Sequence, residues 1–318
     1  MPQIKVIFNP QADRGDNRQK ADWLRHLLDE QARSADGQGI LYEIDWVETE
    51  QPGHATALAH QAALEGCDAV VAVGGDGTVH EVVNGLMRVD AEQRPALGIL
   101  PTGTGNDLSA NFGLPLDPAE AAGAMFQPNT RPLDVGLVSD TNGRHEYWVN
   151  TLGFGFSGAV TVVARRSRTF LRGFALYLYI VLKTILLHAQ NIDIRVAVDG
   201  ADASPRTISM ANVCNGRAEG GGFPVAPHAV MDDGLISYTF MGRLNRLQLL
   251  RFLPVVLSAK HVDYPEHFEF GTARHLRVEA AQPLVIHIDG ELFSEPHHDL
   301  RQMEAEMIPA ALKVLTTP

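Results

Sequence analysis

The chain has 318 residues, 45% hydrophobic and 20% charged, with 26 Lys and Arg against 38 Asp and Glu, a formal balance of −12. That length holds one large domain or two ordinary ones, and the composition excludes disordered, collagenous and coiled-coil chains. Two cysteines, Cys67 and Cys214, make neither a disulfide framework nor a zinc spacing, and the acidic balance speaks against a nucleic-acid partner, so a cytoplasmic protein is expected.

Ile4–Phe8 reads as a β run ending at Asn9-Pro10, too short for the apolar part of a signal peptide. Asp22–Gln31 reads as a helix, Leu41–Val47 as an alternating strand, Ala55–Glu65 as an Ala-rich helix and Ala69–Val73 as a buried strand. A helix follows to about Met87, then a strand at Leu97–Leu100, a loop at Pro101–Asp107 and another helix. Repeated βα units predict a parallel sheet flanked by helices, with ligands gathering at the carboxyl ends of its strands. From about Leu133 strands dominate: Tyr147–Leu152, Ile192–Val198, Thr207–Val213, Leu235–Met241, Arg274–Ala280 and Leu284–Asp289. The helices expected among them are Ala159–Arg168, Phe170–Ala189 and Asn245–Ser258. The reading is an α/β domain over residues 1–135 and a mostly antiparallel β domain over residues 136–300, with the segment from about 300 to 318 returning to the first. The longest apolar run near residue 180, Phe174–Leu182, falls well short of a membrane span.

The strongest local signal is strand Val70–Val73 running into Gly74-Gly75-Asp76-Gly77-Thr78 at a helix start. Glycines let backbone N–H groups approach an anion, and the helix N-terminus adds positive potential, which suits a polyphosphate. Thr78 and Glu81 also match a capping box, so a purely structural role for both stays open. Asp76 would repel phosphate unless a divalent cation lay between them. The next strand ends in a second loop of the same kind, Thr102-Gly103-Thr104-Gly105-Asn106-Asp107, and adjacent parallel strands would turn both loops to one crevice. No GxxxxGK[ST] occurs. Gly153–Gly158 satisfies GxGxxG, but no acidic residue follows at the spacing a nicotinamide site needs, so a close-packed interdomain turn is expected there.

Together these residues resemble the diacylglycerol kinase catalytic family, which includes bacterial soluble lipid kinases and the sphingosine and ceramide kinases. The match rests on GGDGT at 74–78 continuing to Glu81, Asn84 and Gly85, and on Leu100–Asp107. It extends through Asn9-Pro10, Asn150, Gly153-Phe154-Gly155, Asn215, Gly220–Gly222, Pro227, Ala229, Asp232–Leu235 and Asp289-Gly290-Glu291. The resemblance implies an N-terminal phosphofructokinase-like, Rossmann-like domain that binds ATP and a C-terminal β-sandwich that supplies lipid and catalytic residues. It places Asn9, Pro10, Thr49, Gly74, Gly75, Asp76, Gly77, Thr78, Glu81, Gly103, Thr104 and Asn106 at the nucleotide. Asp76 and Asp107 would organise a catalytic Mg²⁺, with Asp76 counted among the catalytic groups. Asp233 and Leu235 would hold a structural Mg²⁺.

Asp289-Gly290 alone reads as a hairpin turn. The resemblance instead places Asp289 and Glu291 at the reaction centre, Glu291 as the base and Asp289 orienting it or sharing the proton. The implied activity is transfer of the γ-phosphate of ATP to a lipid hydroxyl, diacylglycerol first, with sphingosine, ceramide and phosphatidylglycerol also open. NAD kinases share GGDGT, so an NAD kinase-like enzyme is the alternative, and a catalytically silent nucleotide-binding regulator a third reading. Asn111 stands where the family often has arginine, and Ser237 where aspartate is common. His287, Glu295, His297 and His298 suggest a second metal site, against which solvated loop histidines are preferred. Arg165, Arg166, Arg168 and Arg172 precede an apolar helix and could dock a membrane surface transiently, or be the wet end of a buried strut. The sequence leaves room for a homodimer.

Overall fold

The computed structural model describes residues 1–36, 41–126, 129–167, 169, 171 and 173–317. Two compact units emerge: Met1–Leu133 with Ala310–Pro318, and Asp134–Pro309. The first is α/β with a parallel sheet, the second antiparallel and β-sandwich-like.

In the first unit the elements are β1 (Gln3–Phe8), α1 (Ala21–Asp36), β2 (Glu43–Glu48), α2 (His54–Leu64), β3 (Ala69–Gly74), α3 (Asp76–Leu86), β4 (Ala96–Pro101), α4 (Asp107–Phe112) and α5 (Pro118–Ala124). The strands run parallel in the order β2, β1, β3, β4, in register through Ile4–Ile44, Ile4–Ala69 and Ala69–Ala96. β3 is buried along its whole length, as an AVVAVG strand covered on both faces must be. Order reverses at β1, so chain segments leave β1 and β3 in opposite lateral directions and open a crevice beyond their carboxyl ends. Leu24 and Leu28 of α1 pack with Phe8, Val71, Val73 and Leu100 in one core. Gly85 lets α3 press onto α2: a Cβ there would collide with the Thr56 carbonyl.

The strand β5 (Thr130–Asp140) passes from the first unit into the second. The second unit continues with β6 (His145–Trp148), β7 (Thr151–Gly155), α6 (Phe156–Arg166), α7 (Gly173–His188), β8 (Ile192–Val198), β9 (Ser204–Cys214), β10 (Ile236–Gly242), α8 (Arg246–Leu257), β11 (Phe268–Ala273), β12 (His275–Ala280), β13 (Ile286–Ile288), β14 (Glu291–Ser294) and β15 (Gln302–Leu315). β15 pairs antiparallel with β12 through Gln302–Glu306, and its end returns to the first unit, where Val314 pairs parallel with Leu97. β14, β13, β7, β9, β8 and β12 follow one another antiparallel, and β10 with β11 extends from β9. Their inner faces close on Trp148, Phe154, Phe240, Ile286 and Phe293, all essentially inaccessible.

One strand expected as a continuous run is split: residues 147–152 bend between β6 and β7. The expected strand Arg274–Ala280 is β12, and β11 before it was not anticipated. α6 starts at Phe156, inside the glycine motif, rather than at Ala159. The turn is close-packed as expected but lies within one unit. A Cβ on Gly153 would strike His287 and Ser157, and one on Gly158 the Val285 carbonyl; Gly155 takes φ +71° against Ser209. Among the described residues no helix is long and apolar enough to cross a membrane.

Candidate functional site

The carboxyl ends of the parallel strands bring the predicted loop residues together. Asn9 closes β1 with its N–H on the Val73 carbonyl and its side-chain amide donating to Thr78 Oγ1 at 2.9 Å. Its carbonyl accepts from Asn17, and its Oδ1 from the Gln11 N–H. Thr49 follows β2, its N–H bonded to the Phe8 carbonyl. β3 then delivers Gly74 and Gly75 to the start of α3. Thr78 packs back over Gly74 where any Cβ would collide with it.

The 102–107 loop lies against this turn. The Thr102 N–H bonds the Gly74 carbonyl, and a Cβ on Gly75 would sit 3.0 Å from Gly103 Cα. Two backbones approach that closely only without side chains. Asn106, at φ +57°, clamps the loop by accepting from the Gly103 N–H and donating to its carbonyl. Thr104 is exposed and donates to Asp13 Oδ1 at 3.2 Å, a neighbour the sequence did not single out.

Both acidic side chains reach the space beside Gly105. A Cβ there would lie 2.8 Å from Asp76 Oδ2 and 4.0 Å from Asp107 Oδ2. Asp76 Oδ1 accepts the Leu108 N–H, which fixes the carboxylate and turns its second oxygen towards that space. Two carboxylates around a bare glycine form a hard-oxygen donor set of the kind Mg²⁺ uses, one or two carboxylates completed by phosphate and water. The residues fit such an ion.

Glu81 lies elsewhere. α3 is capped by Gly75 and begins at Asp76, so the Thr78–Glu81 capping box does not form. Instead Glu81 accepts the Gly53 N–H at 2.8 Å and the Ala55 N–H at 3.1 Å, closing the N-terminus of the neighbouring α2. Its carboxylate is spent on that helix rather than on the nucleotide loops.

In the second unit Asp289 and Gly290 form the hairpin between β13 and β14, both at positive φ, +49° and +87°. Asp289 accepts three backbone N–H groups, from Val149 at 2.9 Å, Asn150 at 2.8 Å and Thr151 at 3.0 Å. These bonds make the bend that splits β6 from β7. Glu291 is exposed at the start of β14, with Arg165 3.9 Å from its Oε2. Asp289 thus holds backbone, while among the described residues Glu291 has the long Arg165 contact alone.

Asp233 closes a turn on the Leu235 N–H, and Asp134, buried and not anticipated, accepts from Gly234. Among the described residues no group of three or more His, Cys, Asp or Glu could hold a metal. Glu295, His297 and His298 are thus loop residues: His298 Nδ1 accepts the Glu295 N–H and His297 is exposed. Of the four arginines, Arg165 and Arg166 are exposed at the end of α6, while Arg168 and Arg172 lie outside the described residues.

His287 is buried on β13 beside a carboxylate that no motif announced. Glu219 accepts hydroxyl protons from Thr151 at 3.0 Å, Ser157 at 3.3 Å and Tyr177 at 3.0 Å. His287 Nε2 is 2.7 Å from Ser157 Oγ and 3.7 Å from Glu219. Burial lowers the His287 pKa, partly opposed by Glu219 and Asp289. The only local hint was Glu219's place just before Gly220–Gly222.

Comparison with known proteins gives one pattern over both units. The profile of the diacylglycerol kinase catalytic domain matches residues 3–138, and that of the YegS C-terminal NAD kinase beta sandwich-like domain residues 150–316. A diacylglycerol kinase of Mycobacterium tuberculosis H37Rv is 32% identical over 81% of this chain and 80% of its own. One from Bacillus subtilis is 29% identical over 92% and 90%. A crystal structure of a diacylglycerol kinase from Bacillus anthracis superposes with a TM-score of 0.72 at 22% identity, covering 99% of this chain and 97% of that one, a likeness of fold.

Proposed function

Because the chain belongs to the diacylglycerol kinase family, we propose that it transfers the γ-phosphate of ATP to the hydroxyl of diacylglycerol or a closely related lipid. The observation that carries this reading is the back-to-back contact of the Gly75 and Gly103 turns, with an oxygen of Asp76 and one of Asp107 both beside Gly105. Two glycine-rich strand ends aim backbone N–H groups at the same space, where a triphosphate neutralises them. Asn9, Thr78 and Asn106 fix the two turns, and Thr104 stands exposed at the rim.

Asp76 and Asp107 would hold Mg²⁺, whose charge offsets that of the phosphate oxygens. Within the reaction, the lipid oxygen bonds to the γ-phosphorus, the bond from that phosphorus to the bridging oxygen breaks, and ADP leaves. The hydroxyl proton would pass to a carboxylate, the role that the resemblance gives to Glu291. Asp289, committed to three N–H groups, is a positioning residue that holds the β13–β14 hairpin. An NAD kinase-like activity is less favoured because the first-unit match is to a diacylglycerol kinase catalytic domain and the named relatives are diacylglycerol kinases. Incubation with γ-labelled ATP, Mg²⁺ and mixed micelles of candidate lipids, with NAD in parallel, tests the reading: label is expected in lipid. Label in NAD, or in neither, rejects it.

We also propose a transient membrane contact through α7. Phe174, Tyr179, Leu182, Leu186 and Leu187 are exposed on this helix, with half-buried Lys183 beside them and Arg165 and Arg166 exposed at the end of α6. In a chain of net charge −12 such a basic and apolar face suits anionic lipid. Replacing Arg165, Arg166 and Lys183 by Ser is expected to weaken binding to anionic vesicles and leave ATP binding intact; unchanged vesicle binding removes the contact.

A further inference from the structure

The bend at residues 149–151 is gripped from two sides. Asp289 takes its donors: it accepts the N–H groups of Val149, Asn150 and Thr151 and gives its own N–H to the Thr151 carbonyl at 2.8 Å. The segment that follows β9 takes the remaining groups. Asn215 Nδ2 donates to the Val149 carbonyl, the Asn215 and Gly216 N–H groups to the Asn150 carbonyl, and Asn150 Nδ2 to the Ala218 carbonyl. Thr151 joins the two sides, because its N–H bonds Asp289 and its hydroxyl bonds Glu219 at 3.0 Å.

Glu219 reaches the same hairpin by a second route. Its Oε1 is 3.3 Å from Ser157 Oγ, which lies 2.7 Å from His287 Nε2. His287 is on β13, two residues before Asp289. Its ring occupies the space across from Gly153, where a Cβ would come within 2.3 Å of Nε2. One carboxylate therefore bonds towards both strands of the β7–β13 pair, at Thr151 on one and through Ser157 at His287 on the other.

Thr151, Ser157, Glu219 and His287 are all buried, so water does not compete for these bonds. Among the described residues the basic group nearest Glu219 is His287, which burial keeps neutral. Hydroxyl donors, not a cation, thus satisfy the carboxylate, and bonds to an ionised acceptor are the strong kind. A third donor, Tyr177 at 3.0 Å, comes from α7, outside the strand pair.

We propose that Glu219 is a positioning residue for the transfer reaction: through Thr151 on β7, and through Ser157 and His287 on β13, it fixes the placement of the Asp289–Glu291 hairpin from behind. The proposal rests on the lipid-kinase reading for the reaction that the hairpin serves, whereas the order that Glu219 imposes on the hairpin is measurable without ATP.

Single-bond variants test it. Thr151→Val removes the hydroxyl but keeps the N–H on Asp289, Thr151→Ser restores the hydroxyl, and Tyr177→Phe removes a bond from the same carboxylate outside the strand pair. Label transfer from ATP to lipid micelles and urea midpoints are measured on the same preparations. Thr151→Val and Glu219→Gln are expected to lower kcat roughly tenfold, a cost of misplacement, with KM for ATP unchanged. Thr151→Ser should return kcat to near the unaltered value, and Tyr177→Phe should keep it even where its urea midpoint falls. A merely structural carboxylate would make kcat follow the midpoint in every variant. Hydrogen–deuterium exchange of the β13–β14 peptide should quicken in Thr151→Val and Glu219→Gln and not in Tyr177→Phe. Unchanged kcat or unchanged exchange in folded Thr151→Val overturns the proposal, as does an equal loss of kcat in Tyr177→Phe. Absence of label transfer by the unaltered chain rejects the lipid-kinase reading instead, and the exchange measurement then decides by itself whether Glu219 holds the hairpin.

Discussion

Asp289 and Glu291 are two residues apart, and the structure assigns them opposite consequences on mutation. Asp289→Asn retains an oxygen for Asn150 and Thr151 but turns an N–H₂ towards the Val149 N–H and removes the charge from all three bonds. Bonds to a charged acceptor contribute about 1.5–3 kcal/mol each, so losing one and weakening two should cost about 2–4 kcal/mol. At a urea slope of about 2 kcal/mol/M this moves the unfolding midpoint down by about 1–2 M. Glu291→Gln alters an exposed side chain whose ion pair with Arg165 spans 3.9 Å. It should change stability by less than about 0.5 kcal/mol. Yet it should reduce turnover by about a hundredfold to ten-thousandfold if this carboxylate takes the proton. Urea melts followed by circular dichroism, paired with label transfer to lipid, read both quantities on both variants. A stable but inactive Asp289→Asn, beside a Glu291→Gln that still turns over, would refute the division of roles.

Other outcomes follow from the same contacts. Glu81→Ala removes both acceptors from the start of α2 and should cost about 1–3 kcal/mol, while calorimetric ATP affinity stays at the wild-type value. A large affinity loss at unchanged stability would return Glu81 to the nucleotide. His287, held neutral by burial beside Glu219 and Asp289, has a folded pKa below its unfolded value near 6.5. The unfolded chain therefore binds the extra proton, and stability should fall as pH drops below about 6.5 towards the folded pKa. Urea midpoints measured from pH 8 to pH 5 should show this slope, and His287→Gln should flatten it.

Much of the first unit was legible because its signals are local. An apolar AVVAVG strand, a glycine turn and a helix start occupy consecutive residues, and the parallel partner β4 ends in a loop of the same kind. The glycines at 75 and 103 were legible as strand-end turn residues, though their mutual contact depends on strand adjacency. Glu81's partners were not legible because the capping box is a four-residue pattern, whereas Gly53 and Ala55 sit a helix away. The bend at 149–151 was missed for a similar reason: it is set by Asp289, 138 to 140 residues further along the chain. Glu219 gave the weakest signal of all. Its partners Thr151, Ser157, Tyr177 and His287 come from four separate elements, and only the folded sheet and helices bring them to one carboxylate.

The central claim is electrostatic: Asp76 and Asp107 can face a triphosphate only with a divalent cation between them. Calorimetry of ATP binding, with Mg²⁺ and then with a chelator, tests it on the unaltered chain and on Asp76→Asn/Asp107→Asn. The account predicts tight binding by the unaltered chain in Mg²⁺, a loss of at least about tenfold in chelator, and a doubly substituted chain whose affinity no longer responds to Mg²⁺. Equal ATP affinity for the unaltered chain with and without the cation would contradict it.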